Sequence, residues 1–322
     1  MGVGRRELLL GGVGLGLAVS AGPRAGSSQE ADLPQACRTQ GIAPGGGEID
    51  QTAALQSAAD AAARTGSPLF LRAGIYSTGK LTLQSGTSIE GMPGQSILRY
   101  RDGGVILSLN GVENVRLAGL VLDGDKKPLG ERGSLLAATA TKHLDVTNCR
   151  LIGSAGDGMA LRKVSGWIKD CEIGDIGKAG LVSEDASGLE IAHNHVRDCG
   201  ENGIVVSRSQ QGDDATIVAS NRIERIAATS GGGVQNGNGI TILRAGSVMV
   251  SGNRIADCAF SAIRANAGSN CQMIGNSCAR LGEVALHAEF SVEATVIANN
   301  LIDGAAAGWS STWAPDRVNH AL

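Results

Sequence analysis

Aromatic residues are almost missing from this chain: three Phe, two Tyr and three Trp, 2% of 322 residues. An extended cleft that holds sugars by stacking rings on them needs more, so this composition counts against one. A surplus of positive charge is missing too. The formal net charge is −3, and a protein that neutralises phosphates along a nucleic acid needs a basic face, which sets that partner class aside. No CxxC pair occurs among the seven cysteines, and their odd number argues against a closed disulfide framework. Finally, the uncharged run at residues 8–22 is too short and too rich in glycine for a comfortable membrane span.

Glycine, by contrast, is abundant at 48 residues, and the chain is 42% hydrophobic, drawn mainly from Val, Ile, Leu and Ala. The length suits one large domain or two ordinary ones. Residues 1–30 read as an address. Arg5-Arg6 precede the mildly apolar run, and "GRRELLL" resembles the twin-arginine export signal, with Leu8 in place of the usual phenylalanine. An ordinary secretory leader or an uncleaved anchor is the alternative. Each places the mature protein outside the cytoplasm, periplasmic or secreted, with the twin-arginine export machinery as a partner through the leader. That route carries folded proteins and allows a cofactor, but none is predicted.

Beyond Gly111 the chain is self-similar. The segments "VTNCRL", "IKDCEI", "IAHNHV", "VASNRI", "VSGNRI", "MIGNSC" and "IANNLI" superpose without gaps, and their fourth positions are Cys149, Cys171, Asn194, Asn221, Asn253, Asn276 and Asn300. The spacings are 22, 23, 27, 32, 23 and 24 residues. Nine residues on, in most units, a Gly or Ala starts a second segment such as "GIVV" or "GITI". A unit this short cannot bury its apolar side alone; stacked in parallel, with each coil rising by about 4.8 Å, successive units make one core. Leucine-rich repeats share the period but need leucine at fixed positions, whereas here Val, Ile, Met, Cys and Ala interchange. The expected fold is therefore all-β, a parallel β-helix, with the Asn side chains forming a ladder at a bend. Two insertions, residues 208–215 ("RSQQGDDA") and 227–237 ("AATSGGGVQNG"), read as loops.

Residues 31–110 are expected to hold an end cap and the first coils. "DQTAALQSAADAAAR" reads as a helix capped by Asp50, with Leu55, Ala58, Ala59 and Ala62 on one face. Such a helix would cover the open edge of the first coil. This helix, the following strand and the Gly-x-Tyr of Gly74 and Tyr76 resemble the opening of pectate-lyase-superfamily proteins, with Arg72 where proline is more usual. Together with the leader and the Asn-marked coils, the chain resembles the twin-arginine-translocated β-helix repeat proteins, a family without an assigned activity, over residues 1–304. The resemblance implies a right-handed parallel β-helix, the pectin-lyase-like solenoid, and favours polysaccharide as ligand.

Alternation along a strand tells which side chains share an outer face. One outer file reads Ala160, Val182, Val205, Thr241, Arg264, His287; the next reads Arg162, Glu184, Ser207, Leu243, Asn266, Glu289. Arg264, Asn266, His287 and Glu289 thus converge on adjacent coils, and Arg162 meets Glu184. A base beside a carboxylate and a guanidinium suits proton abstraction next to a uronate carboxyl; the alternative is ordinary solvated cross-strand pairs. Asp213-Asp214 after Gly212 resemble the Gly-Asp-Asp of β-helix glycoside hydrolases, although the companion Gly-His-Gly and Arg-Ile-Lys motifs are missing, as is an epimerase-like Asp-Pro-His-Asp. A solvated turn is the plainer reading of that pair, and calcium is its metal option. His193 and His195 flank the ladder and lack a third ligand, so they read as surface residues. Cys149 and Cys171 on the ladder, with Cys199, Cys258 and Cys278 at apolar positions, read as small buried hydrophobes, the alternative being a Cys149–Cys171 bridge.

Two function classes follow. One is a carbohydrate-active enzyme, a lyase, hydrolase or epimerase; the other is a non-catalytic structural or interaction β-helix that binds polyuronate or a cell-envelope glycan through the same face. Oligomeric state has no signal in the sequence. The repeats are expected over residues 111–308 and an irregular tail over 309–322. That tail is expected to be the improvised end of a shortened β-helix, with a frameshift as one origin and a native tail burying Trp309 and Trp313 as the competing account.

Overall fold

The computed structural model describes residues 42–130, 133–231, 235–290, 293–312 and 319–321, and all of these belong to one compact unit. The leader falls outside them. One helix, Thr52–Thr65, precedes three parallel sheets of 11, 10 and 10 strands among the described residues. The first sheet starts at Leu69–Leu71, the second at Gly74–Thr78 and the third at Leu81–Leu83. Each strand pairs with the third one after it, so one strand per sheet makes a coil. About ten coils stack as a right-handed β-helix, the hand that right-twisted strands impose on parallel crossovers. Among the described residues no helix is long and apolar enough to cross a membrane.

The coil is set by local chemistry. Strand interiors alternate, so Ile204 and Val206, Ile240 and Ile242, and Ile263 and Ala265 are fully buried in the shared core. The corner between the first and second sheets needs one left-handed residue, found immediately before each ladder position: Asn148, Asp170, His193, Ser220, Gly252, Gly275 and Asn299. Gly, Asn and Asp tolerate that conformation best, which is why they recur there. His193 is therefore a corner residue.

The ladder follows. Asn221 Nδ2 donates to Ile191 O (2.9 Å) and to Asn253 Oδ1 (3.0 Å), while its Oδ1 accepts from Asn194 N (2.9 Å) and Asn194 Nδ2 (3.0 Å). Every donor and acceptor of the amide is used. Asn194, Asn253, Asn276 and Asn300 stack in the same way. Cys171 Sγ replaces the amide donor, reaching Val146 O at 3.6 Å. All six cysteines of the described residues are free and buried, so Cys149 and Cys171 stack without a bridge.

At the corner leading into the third sheet the glycines answer to space. A Cβ on Gly203 would stand 2.5 Å from Gly239 O, and one on Gly180 2.7 Å from Gly203 O. A second polar ladder, not anticipated from the sequence, runs beside them. Asn238 N donates to Asn202 Oδ1 and Ser261 N to Asn238 Oδ1, each at 3.1 Å.

The cap helix buries Leu55, Ala59 and Ala62, with Ala58 at its margin. Asp50 lies one residue before the N-cap, Gln51, and accepts from Thr52 N and Oγ1 at 2.9 and 2.6 Å. Tyr76 is buried with its hydroxyl donating to Arg72 O (3.0 Å), and Gly74 adopts φ 143°, where a side chain would collide with Pro44.

Two expectations change. The first insertion is a continuation of the third-sheet strand Ile204–Asp213, with a register shift between Ser207 and Gly212. The tail is also more regular than its sequence suggests. Ala307–Thr312 joins the third sheet, pairing Trp309 with Leu286 and Ser310 with His287, and Asn319–Ala321 pairs with Val296–Ala298 in the first. Residues 313–318, including Trp313, lie outside the described residues.

Candidate functional site

The third sheet carries the outer files in the expected register. Thr241 opposes Arg264, which opposes His287; Leu243 opposes Asn266, which opposes Glu289. Arg264 and Glu289 meet as a bidentate pair, Nε to Oε1 and Nη2 to Oε2, both 2.8 Å. Asn266 Nδ2 donates to Glu289 Oε1 at 3.1 Å, Arg264 Nη1 reaches Glu283 Oε2 at 3.5 Å, and His287 Nε2 stands 3.8 Å from Glu289 Oε2. The four residues are together, but closed. Side-chain exposure is 3% at Arg264 and 5% at Glu289, so this is no solvated surface pair. The guanidinium and the carboxylate spend their charge on each other.

Arg162 and Glu184 oppose each other as expected, 3.8 Å apart, both well exposed. Here the surface opens. A groove of about 500 Å³ lies between Arg162, Lys163, Asp185, Arg208, Ser209 and Asp213. Three cations and two carboxylates line it. The bulged insertion supplies one wall, held by Asp185: Ser209 N donates to Asp185 Oδ1 at 2.8 Å, and Ser209 Oγ to both its oxygens. Burial works to raise the Asp185 carboxyl, but the Ser209 bonds and then Arg208 and Arg162 bring it below its ordinary value. The Arg208 Nε is buried and has no hydrogen-bond partner.

Asp213 and Asp214 part company. Asp213 faces the groove and accepts from Ser247 Oγ at 2.8 Å. Asp214, with a fully buried side chain, is bonded by Thr216 Oγ1 and lies 3.9 Å from Arg208 Nη1. Burial pushes its carboxyl above the ordinary value, partly offset by Thr216 and Arg208. The pair is thus neither a shared acid–base dyad nor a wholly solvated turn. No three of His, Cys, Asp and Glu converge as a metal set among the described residues.

The second sheet bears a charge network that no motif announced. Glu224 Oε2 accepts from Arg222 Nε and Nη2, Glu224 Oε1 from Arg225 Nη1 at 2.7 Å, and His195 Nε2 is 3.1 Å from Glu224 Oε1. Arg225 also holds both oxygens of Asp198. The Arg225 bond, against burial and aided by Arg197, lowers Asp198 to about 2. Burial alone would raise Glu224, but Arg222, Arg225 and His195 outweigh it and hold it at about 2. Both values lie below the unfolded carboxylate value of about 4. These groups therefore add stability above about pH 4, and it drains as pH falls towards about 2. Thermal melts between pH 5 and 2 should show a steep fall in Tm that Glu224→Gln makes shallower; an unchanged slope would remove Glu224 from the acid response.

Parallel strands wound into one solenoid, with a polar groove on an outer face, define a class of protein. Residues 73–235 match the family described as "Right handed beta helix region", about half of the chain, and the chain belongs to that family. No curated protein matches it. Among solved structures it is similar to the A-module of the Azotobacter vinelandii mannuronan C-5 epimerase AlgE6, with TM-score 0.58 and 14% identity over 85% of this chain and 95% of that one. It is also similar to the enzymatically active domain of bacteriophage CBA120 tailspike protein 2, with TM-score 0.58 and 14% identity over 83% and 41%. PfbA, a surface adhesin of Streptococcus pneumoniae, gives TM-score 0.53 and 13% identity over 83% and 91%. Identities this low speak for the fold, and function has to be argued from the site.

Proposed function

We propose that this protein is an exported β-helix that binds an anionic polysaccharide, a polyuronate or an acidic cell-envelope glycan, in the groove between Arg162 and Asp213. The observation that carries the reading is the groove's chemistry: Arg162, Lys163 and Arg208 line one open channel, with the Arg162 and Lys163 side chains exposed. A carboxylate-bearing sugar offers the exposed Arg162 and Lys163 a further acceptor beside Glu184, which stands 3.8 Å from the Arg162 guanidinium. The scarcity of aromatic residues fits recognition by charge and hydrogen bonding. The β-helices of similar fold include an epimerase of mannuronan, itself a polyuronate, and a surface adhesin. Arg5-Arg6 and the run after them support export by the twin-arginine machinery to the periplasm or beyond.

Binding without turnover is the reading the geometry favours, because Arg264 and Glu289 are sealed in mutual pairing. The test is titration of the mature protein with polymannuronate, polygalacturonate and a neutral glucan, with calcium or a chelator present. Unsaturated product, reducing ends and epimer ratio are followed in parallel. Arg162→Ala with Lys163→Ala, both exposed, should weaken polyuronate binding by about tenfold at low salt, roughly 1.4 kcal/mol, and less as salt screens the charges. Equal affinity for the neutral glucan defeats the proposal. Product on any polyuronate moves the protein to the enzyme class.

A further inference from the structure

We infer that the second sheet carries a separate binding site for an acidic sugar unit, in the cleft bounded by Arg222, Arg254 and Arg280. The cleft holds about 280 Å³ and spans three consecutive coils. Its floor is built by omission: the outer file that carries Arg197 and Glu224 continues as Ala256 and Ala279, so the surface steps down where two large side chains give way to methyl groups. Ser277, directly opposite Arg254, adds a hydroxyl at the edge.

The charges around this step are arranged against local stability. Arg222 and Arg254 are direct cross-strand partners, and like charges in that position repel. Arg222 is compensated through Glu224 and Arg280 through Asp257, whose oxygens it engages at 2.7 Å each. The Arg254 backbone N donates to Asn221 O at 2.8 Å, but its guanidinium has no hydrogen bond or ion pair with any described residue. An oxyanion between Arg222 and Arg254 relieves their repulsion, and the Ala256–Ala279 floor takes the body of one sugar ring. The volume suits a single unit rather than an extended chain. A uronate, whose planar carboxylate matches a guanidinium fork, is the class of ligand. The assignment does not rest on the third-sheet groove.

The experiment uses the Arg162→Ala, Lys163→Ala protein, in which that groove is weakened, and trigalacturonate as the probe, with inorganic sulfate and a neutral trisaccharide as comparisons. Calorimetry and backbone NMR are expected to show residual trigalacturonate binding that shifts the Ser277 and Ala279 amides. Adding Arg254→Glu should lower that affinity at least tenfold while leaving Tm equal or higher, since the Arg222 repulsion is removed. Ala279→Leu, which fills the floor without altering charge, should also block the probe. Unmoved Ser277 and Ala279 amides overturn the inference, as does unchanged affinity in Arg254→Glu. Sulfate binding as tightly as trigalacturonate overturns the sugar assignment. Loss in Arg254→Glu alone, with Arg162 and Lys163 replaceable at no cost, would sink the third-sheet proposal and leave this one standing.

Discussion

Replacing Asn221 with leucine is expected to cost roughly 3–5 kcal/mol, since a buried polar group left unpaired costs about 1–3 kcal/mol. Leucine has a similar volume, so the loss comes from polar pairing rather than from a cavity. Asn194 N and Asn194 Nδ2 both lose the Asn221 Oδ1 acceptor, and Ile191 O loses its side-chain donor. All of this happens at a position 1% exposed. Asn221→Cys should cost less, because a thiol restores one donor to the carbonyl below, as Cys171 does towards Val146 O. Repeat proteins lose structure locally when one interface between repeats fails. Urea unfolding should therefore be read with hydrogen exchange at Asn194 and its neighbours. A leucine variant within 1 kcal/mol of the parent would show the ladder to be incidental.

The pair Arg264 and Glu289 should behave as a buried ion pair. Glu289→Ala alone is expected to destabilise by about 3–5 kcal/mol, because it leaves a desolvated guanidinium with only Glu283 and solvent-poor surroundings. Joint replacement, Arg264→Met with Glu289→Leu, should recover most of that loss or exceed the parent, since apolar groups of similar size carry no desolvation penalty. The comparison also decides what an activity assay would mean. If turnover exists and disappears in the stable double variant, these residues act on substrate. If it disappears only in the unstable Glu289→Ala variant, the pair is structural. Equal and small losses in both variants would refute the buried-pair description.

Much of the architecture was legible because a solenoid repeats its instructions. Seven superposable segments fixed the coil, and alternation along "GIVV" and its equivalents placed Arg264 beside His287 and Asn266 beside Glu289, the register found. A ladder of Asn194, Asn221, Asn253, Asn276 and Asn300 follows from the same spacing, since one amide per coil can meet only the amide above and below. Asp50, Gly74 and Tyr76 marked the cap for local reasons of hydrogen bonding and backbone angle.

What the chain order could not convey is how deep an outward-facing residue lies and what lies beside it. Arg264 and Glu289 point away from the core yet are almost fully buried. Asp213 and Asp214 are sequence neighbours that end in groove and interior. Cross-coil neighbours such as Asn202 and Thr241, 39 residues apart, meet only once both insertions have been wound into the stack. The arginine cleft of the second sheet depends on two alanines from different coils lying side by side. Local sequence therefore determined the repeat, its corners and the facing of each strand, because these depend on single-residue geometry and a fixed period. Burial, ion pairing and the shape of the grooves were decided by tertiary structure, because they depend on which coils the insertions bring together and how closely their side chains exclude water.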